Sequence, residues 1–467
     1  MNRATSVPSF SRPAFVLAAK TEFDAVLAGR PDIRFVDAVL TDVNGVMRGK
    51  RIPIADAGRL FESGMQIPSS ALLMDPRGEM TTPFGRGVSD GDPDGTAWPL
   101  PGTIAPVWGG SGPPRIQMLT TLRNEVGATD PAEPRAALER TLERFAELKL
   151  TPVTALELEF YLIDRERLPN GAPQPPRDPR SGVRDSANSV YEIADLDRYA
   201  EFLSALESAA QMQNVPVSAT SSEYAPGQFE ANLRHQSDAL RAADHAVLLK
   251  QIVKTAAFES GFDASFMAKP YADRTGSGLH IHVSMLDQAG KNVFDDGSAE
   301  GSDILRHAIG GLAATMIESM AIFAPSINSY RRFQPDMFAP VNRRWGYNNR
   351  SAGLRIPVSP GEARRVEHRA AGADANCYLT LAAVLAGVHH GIRNKVDPGA
   401  ASSGNVSRDP DPALPFTPDD AFAKLAAARV LPAYLGEETL ALYRESKRLE
   451  LQRFRKIVSP AEYEWYL

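Results

Sequence analysis

The 467-residue chain carries 51 Lys+Arg against 57 Asp+Glu, a net charge of −6, and so offers no basic surplus for nucleic acid. Hydrophobic residues make up 43 % and charged residues 23 %, ordinary globular proportions, and the length predicts one large domain with a smaller one. The single cysteine, Cys377, excludes an intrachain disulfide, and no apolar run is long enough for a membrane span or a signal-peptide core, so a cytoplasmic protein is expected.

Residues 35–53, "FVDAVLTDVNGVMRGKRIP", predict two strands joined at Asn44-Gly45, a dipeptide suited to a hairpin turn. Residues 84–114 are dense in Gly and Pro and predict loops with short strands at most. Inside them "DGDPDG" imitates the start of a calcium loop. Its twelfth position is Pro101 where a bidentate Glu is required, so a solvated turn is expected. Near residue 130 the texture changes: Asp130 as a cap, Pro131 in the first turn, and Leu138, Leu142 and Phe145 at helical spacing predict a helix that opens a larger domain. The expected division is 1–125 and 126–467.

Next comes "ALELEFYLID" (155–164), a buried strand interrupted by Glu157 and Glu159. Residues two apart on a strand share a face, about 7 Å apart, and like charges so placed repel unless a cation lies between them. A Pro-rich loop runs on to Asn188. Helices are then predicted at 195–215, 236–258 and 302–323, strands around 279–286, a surface loop over 396–420, and an amphipathic helix over 437–458. Helices and antiparallel-looking strands come in blocks, which favours an α+β fold over a doubly wound sheet.

Further acids stand in comparable settings. Glu223 and Glu230 flank the Pro226-Gly227 turn of "SSEYAPGQFEANLRH", which can fold the two carboxylates toward each other. His280 and His282 share a strand face after the Gly-Ser-Gly of "GSGLHIHVSM", and Glu367 lies between Arg365 and Arg369 in "RRVEHRAAG". Singly, each reads as an edge glutamate or a core histidine. Together, several carboxylates and an imidazole among apolar neighbours suit Mg²⁺ or Mn²⁺. Arg331, Arg332, Arg350 and Arg355 add bidentate donors for carboxylate and phosphate, which points to phosphoryl transfer. No GxxxxGK[ST] run exists, so the nucleotide is not held by a P-loop.

Seven segments in order, "ELEFYLID", "EYAPGQFE", "FMAKPYADRTGSGLHIHVS", "NSYRRF", "NNRSAGLRIP", "RRVEHR" and "NKVDPG", resemble the glutamine synthetase family from about residue 33 to the C-terminus. The resemblance implies a small N-terminal β-grasp domain and a large catalytic α+β domain whose antiparallel sheet is flanked by helices. It implies ATP and two or more Mg²⁺ (or Mn²⁺) ions, one held by Glu157, His280 and Glu367, the other by Glu159, Glu223 and Glu230. Arg332 matches the residue that grips the glutamate α-carboxylate, Arg369 the one near its reacting carboxylate, and Arg350 the one facing the γ-phosphoryl group; these three form the implied catalytic set. Arg350, Arg355, His282 and Ser284 match ATP contacts, while Gly276 and His280 lie with the arginines around the substrate. Rings are implied, a dodecamer of two hexamers, each site completed by a neighbouring N-terminal domain.

Departures from the family pattern bear on the substrate. Ile67 and Phe338 stand where ammonia-using members carry acids that bind and deprotonate ammonium. An ammonium ion would find no carboxylate there to offset its desolvation, whereas an organic amine regains that cost by burying its stem, at about 0.8 kcal/mol per CH₂. The chain thus resembles the γ-glutamylpolyamine and γ-glutamylputrescine synthetase branch, and relatives that ligate alkylamines or anilines. Partners are expected to be glutamate and an organic amine, with no nucleic acid and no membrane. An ammonia-using synthetase and a non-catalytic structural relative of the lens-crystallin type are the alternatives. Trp345 reads either as a pocket wall or as a core residue. Thr275 replaces an Asn beside the glutamate amino group, Glu362 replaces a basic nucleotide contact, and Ser407 replaces the tyrosine of adenylylated members, so that control is expected to be absent.

Overall fold

The computed structural model describes residues 12–109, 112–124 and 126–467. Residues 1–11, on which part of the expectation of no signal sequence rests, and Glu125, at the expected domain boundary, lie outside them. Two sheets organise the chain. The first is built from β1 (Phe35–Thr41), β2 (Met47–Pro53), β3 (Met65–Pro68), β4 (Asp94–Pro99), β5 (Ala105–Pro106) and β6 (Arg115–Arg123) in the order β2-β1-β6-β4-β3, with β5 on β6. The hairpin at Asn44-Gly45 forms as expected: Thr41 pairs with Met47, and Gly45 takes the positive φ (76°) that this tight turn requires.

The second sheet comprises β7 (Thr151–Ile163), β8 (Val217–Ser222), β9 (Gln228–Leu233), β10 (Asp263–Ser265), β11 (Leu279–Leu286), β12 (Trp345–Tyr347), β13 (Leu354–Ile356) and β14 (Val366–His368). Its order is β12-β13-β14-β11-β7-β9-β8, with β10 on β7. All pairs are antiparallel except β12 with β13. The mixed sheets with flanking helices are the α+β architecture expected.

Three helical expectations are adjusted. The helix expected from Asp130 begins at Pro134. The Asp130 carboxylate is taken by the Ala132 N–H at 2.8 Å and by an ion pair with Arg86, so it closes a turn ahead of the helix. The run 195–215 is two helices, Ile193–Arg198 and Ala200–Met212, parted at Tyr199, where ψ is 26°. The helix Cys377–Asn394, unexpected from periodicity, is apolar on nearly every side and is buried from Cys377 to His389. It packs against the helix Asp303–Phe323 so closely that a Cβ on Gly311 would lie 2.1 Å from the Gly387 carbonyl oxygen. Among the described residues no helix is long and apolar enough to cross a membrane. The "DGDPDG" run is a turn in which Asp90 accepts the N–H groups of Gly87 and Asp92.

Candidate functional site

Strand register assembles the charged residues on one face of the second sheet. Glu157 of β7 lies opposite His280 of β11, and Glu159 lies opposite Glu230 of β9. His282 lies opposite Glu367 of β14, which in turn lies opposite Arg355 of β13. Period-two side-chain direction puts all of them on the same side. Glu223 joins from the turn after β8, where Gly227 (φ 71°) reverses the chain and the Glu223 N–H donates to Gln228 at 2.8 Å. All of these except His282 line a cavity of about 480 Å³ together with Gly276, Arg332, Phe338, Arg350 and Arg369.

Within it, the His282 Nε2 is 2.7 Å and the His280 Nδ1 3.4 Å from the two Glu157 oxygens. Glu367 accepts from Arg355 Nη1 at 2.7 Å and from Arg369. Glu159 accepts the Gly278 N–H at 2.6 Å, and Glu230 accepts from Asn232 at 3.0 Å. Two sets of donor atoms lie within 4.8 Å of one another: Glu157, Glu230 and His280, and Glu157, His282 and Glu367. These sets cut across the division of ligands that the resemblance implies, because His282 stands on Glu157 and His280 faces Glu230 as well as Glu367. Oxygen-rich sets with one imidazole fit a hard divalent cation.

Electrostatics split the carboxylates into two kinds. Burial raises the pKa of Glu157 and Glu367, but the imidazoles and, for Glu367, Arg369 and Arg355 outweigh it; Glu157 is held well below the usual range and Glu367 near 2. For Glu223 and Glu230 the balance is reversed: His280 and Arg350 lower the first and the Asn232 hydrogen bond the second, but burial and the neighbouring carboxylates prevail. Burial, reinforced by Glu159 for both and by Glu157 for Glu230, pushes each up to about 8. Their stabilising contribution to the metal-free protein is therefore complete below a pH of about 4.5 and is lost as pH rises through about 8. A divalent cation that replaces the protons removes that loss. Mg²⁺ or Mn²⁺ should accordingly raise the melting temperature more near pH 8 than near pH 6, relative to protein in EDTA. Equal shifts at both pH values, by thermal scanning, would contradict the assignment.

Arg332 is buried; its Nη1 donates to the Ala370 carbonyl at 3.2 Å, while its Nε is buried without a partner among the described residues. Such a guanidinium is suited to accept a carboxylate. The Arg350 Nη1 meets the Tyr191 hydroxyl at 3.1 Å. Gly276 receives a Gln228 amide hydrogen bond at 3.0 Å on its carbonyl, and Thr275 bonds the same Gln228. Val190, Tyr191, Tyr224 and Met337 also line the cavity. Sequence reasoning missed Tyr191, which sits in a stretch without periodicity, whereas Tyr224 stands beside Glu223 in a quoted segment.

Several expected residues fall elsewhere. Ile67 is 6 % exposed in the core of the first sheet and does not reach this cavity, since β3 alternates and turns Ile67 inward beside Met65. Ser284 is buried on β11 opposite Val153, beyond the cavity lining. Trp345 is a core residue whose indole donates to the Gly399 carbonyl at 3.3 Å. Arg331 faces a larger cavity, about 960 Å³, between the Asn44 hairpin and the helix Glu437–Phe454. The Ser407 hydroxyl donates to Asp336 at 3.0 Å.

The family described as "Glutamine synthetase, catalytic domain" matches residues 131–466. The chain is 40 % identical over 438 residues to the gamma-glutamylputrescine synthetase PuuA of Escherichia coli (strain K12), covering 94 % of this chain and 92 % of that one. It is 32 % identical over 340 residues to a glutamate–isopropylamine ligase of a Pseudomonas species, covering 72 % and 73 %. A solved structure described as a GmaS/ADP complex superposes with a TM-score of 0.81 at 29 % identity, covering 95 % of this chain and 98 % of that one.

Proposed function

The chain belongs to the glutamine synthetase family, and we propose that it is an ATP-dependent ligase joining the γ-carboxylate of glutamate to an organic amine, with release of ADP and phosphate. One observation carries the reading: five carboxylates and the His280 imidazole share a single cavity with four arginines and with Phe338. The named amines of the relatives are putrescine and isopropylamine, so polyamines and alkylamines, with arylamines, form the substrate class.

In this reading Arg332 holds the glutamate α-carboxylate. An oxygen of the γ-carboxylate attacks the γ-phosphorus of ATP, and the bond to the β–γ bridging oxygen breaks, leaving ADP and γ-glutamyl phosphate. The amine nitrogen then attacks the γ-carbonyl carbon, phosphate departs with its electron pair, and the nitrogen loses its proton to solvent. Arg350 faces the charge on the transferred phosphoryl group, Arg369 orients the reacting carboxylate while fixed to Glu367, and Arg355 and His282 sit toward the nucleotide. Glu157, Glu159, Glu223, Glu230, His280, His282 and Glu367 would hold divalent cations, whose chemistry is to neutralise phosphate charge. We divide the chain near residue 125, place it in the cytoplasm, with which the single cysteine is compatible, and assign it rings, a dodecamer of two hexamers, with which the placement of Ile67 outside its own site is compatible.

Purified protein with ATP, Mg²⁺ and glutamate should release phosphate with organic amines in preference to ammonium. Phe338→Glu should raise the ratio of ammonium to n-butylamine turnover by roughly tenfold, because a carboxylate then offsets the desolvation of the small cation. If ammonium outperforms every organic amine on the wild-type enzyme, the chain is an ammonia-using synthetase. Silence with every amine favours a structural protein.

A further inference from the structure

Residues 275–276 lie outside any strand, line the candidate site and are held in place by side chains. Three successive carbonyls are taken in this way: that of Arg274 by the Lys269 ammonium, that of Thr275 by the Tyr161 hydroxyl at 2.7 Å, and that of Gly276 by the Gln228 amide at 3.0 Å. The Thr275 hydroxyl donates to the Gln228 amide oxygen, which also receives the Ala225 N–H at 3.3 Å. These backbone partners fix the orientation of the amide, since the Gly276 carbonyl can only accept and the Ala225 N–H can only donate. Tyr161 and Gln228 are 0 % and 2 % exposed, so both act from inside the chain and not from its surface.

Register explains how this bridge arises. Tyr161 of β7 lies opposite Gln228 of β9, one same-face step along from the facing pair Glu159 and Glu230. The two strands that carry those carboxylates therefore extend two neutral side chains to the loop ahead of β11. On the other side of the loop Gly276 is pressed against Arg332: a Cβ there would lie 2.7 Å from the Arg332 Cγ and 2.7 Å from the Ala268 carbonyl oxygen. Residues 275–276 are thus clamped between the guanidinium assigned to the glutamate α-carboxylate and the strands of the carboxylate cluster. A neutral clamp suits the place, because a charge there would bear on Arg332 and on Glu159 alike. A hydroxyl and an amide in the interior are costly unless bonded, and here their bonds are made to a loop that lines the site.

We propose that Tyr161 and Gln228 are positioning residues for the acid substrate: they set the Thr275 and Gly276 backbone against Arg332 so that the α-end of glutamate fits between them. This rests on the ligase reading and deepens it. Neither side chain acts on the reacting γ-carboxylate, so loss of one bond should weaken glutamate binding, in ground state and transition state equally, by roughly fivefold.

Steady-state kinetics of the full-length enzyme test this, with ATP, Mg²⁺, varied glutamate and saturating n-butylamine, or ammonium should that alone be turned over. Tyr161→Phe deletes one oxygen and keeps the ring in its edge contact with Tyr271 at 5.3 Å; it should raise KM for glutamate roughly fivefold, with kcat and KM for ATP within about twofold of wild type. Thr275→Val should act in the same direction, while Thr275→Ser, which keeps the hydroxyl, should stay close to wild type. Gln228→Leu, which loses its bonds to both residues, should raise KM furthest. An unchanged KM for glutamate in Tyr161→Phe and Thr275→Val, with only a lowered melting temperature, would overturn the proposal and leave the ligase reading intact. So would a loss in kcat alone, or equal rises in KM for glutamate and ATP. Wild-type protein that releases no phosphate with glutamate and any amine would overturn both.

Discussion

Glu157→Gln should lower kcat for phosphate release by about 1,000-fold or more, the scale set by losing several kcal/mol of charge stabilisation at a phosphoryl group. Glu157 is the one residue common to both sets of donor atoms, and its two oxygens face His282 and His280 separately. A glutamine keeps the shape but loses one donor oxygen and the negative charge. The fold should survive, because the carboxylate lies in the cavity lining and not in the apolar core. Kinetics at saturating Mg²⁺ give the loss, and a thermal scan with and without Mg²⁺ should show a much reduced response. Near-normal turnover in the variant would remove Glu157 from the cation site.

Arg350→Ala should be comparably severe, about 1,000-fold in kcat, with KM for glutamate changed little. Among the described residues Arg350 hydrogen-bonds the Tyr191 hydroxyl at 3.1 Å and no carboxylate, whereas Arg355 and Arg369 are both fixed on Glu367. A guanidinium not bound to a carboxylate is available to the phosphoryl oxygens as they take up charge. Arg350→Lys should recover only part of the loss, since a point charge cannot reproduce the planar fork. Arg332→Ala gives the contrasting signature, a raised KM for glutamate, if Arg332 holds the α-carboxylate. Steady-state kinetics varying ATP and glutamate separately distinguish the two; a pure KM effect at Arg350 would contradict its role.

How far the sequence reached depended on whether the signal was local. Glu157, Glu159, His280 and His282 were legible as same-face pairs because strand alternation places residues two apart together. Their partnerships were not, since the meeting of Glu157 with His280 and of His282 with Glu367 follows from a register between strands more than 80 residues apart in the chain. The hairpin at Asn44-Gly45 was readable from its dipeptide, whereas the helix Cys377–Asn394 was hidden by burial on every side, which erases the amphipathic period. Ile67's place in the chain says nothing of its packing: the pleat of β3 turns it into the core of the first sheet, away from its own chain's cavity. Tyr191, in a loop with no period, became visible only through its hydrogen bond to Arg350.

The central claim is that the glutamate γ-carboxylate is activated as an acyl phosphate before the amine attacks. Glutamate labelled with oxygen-18 in that carboxylate tests it directly, with ATP, Mg²⁺ and an accepted amine. The attacking oxygen bonds to phosphorus and departs with it, so mass spectrometry should find one labelled oxygen in each phosphate released and the other in the γ-glutamyl amide. Phosphate free of label, formed at the same rate as the amide, would contradict the account.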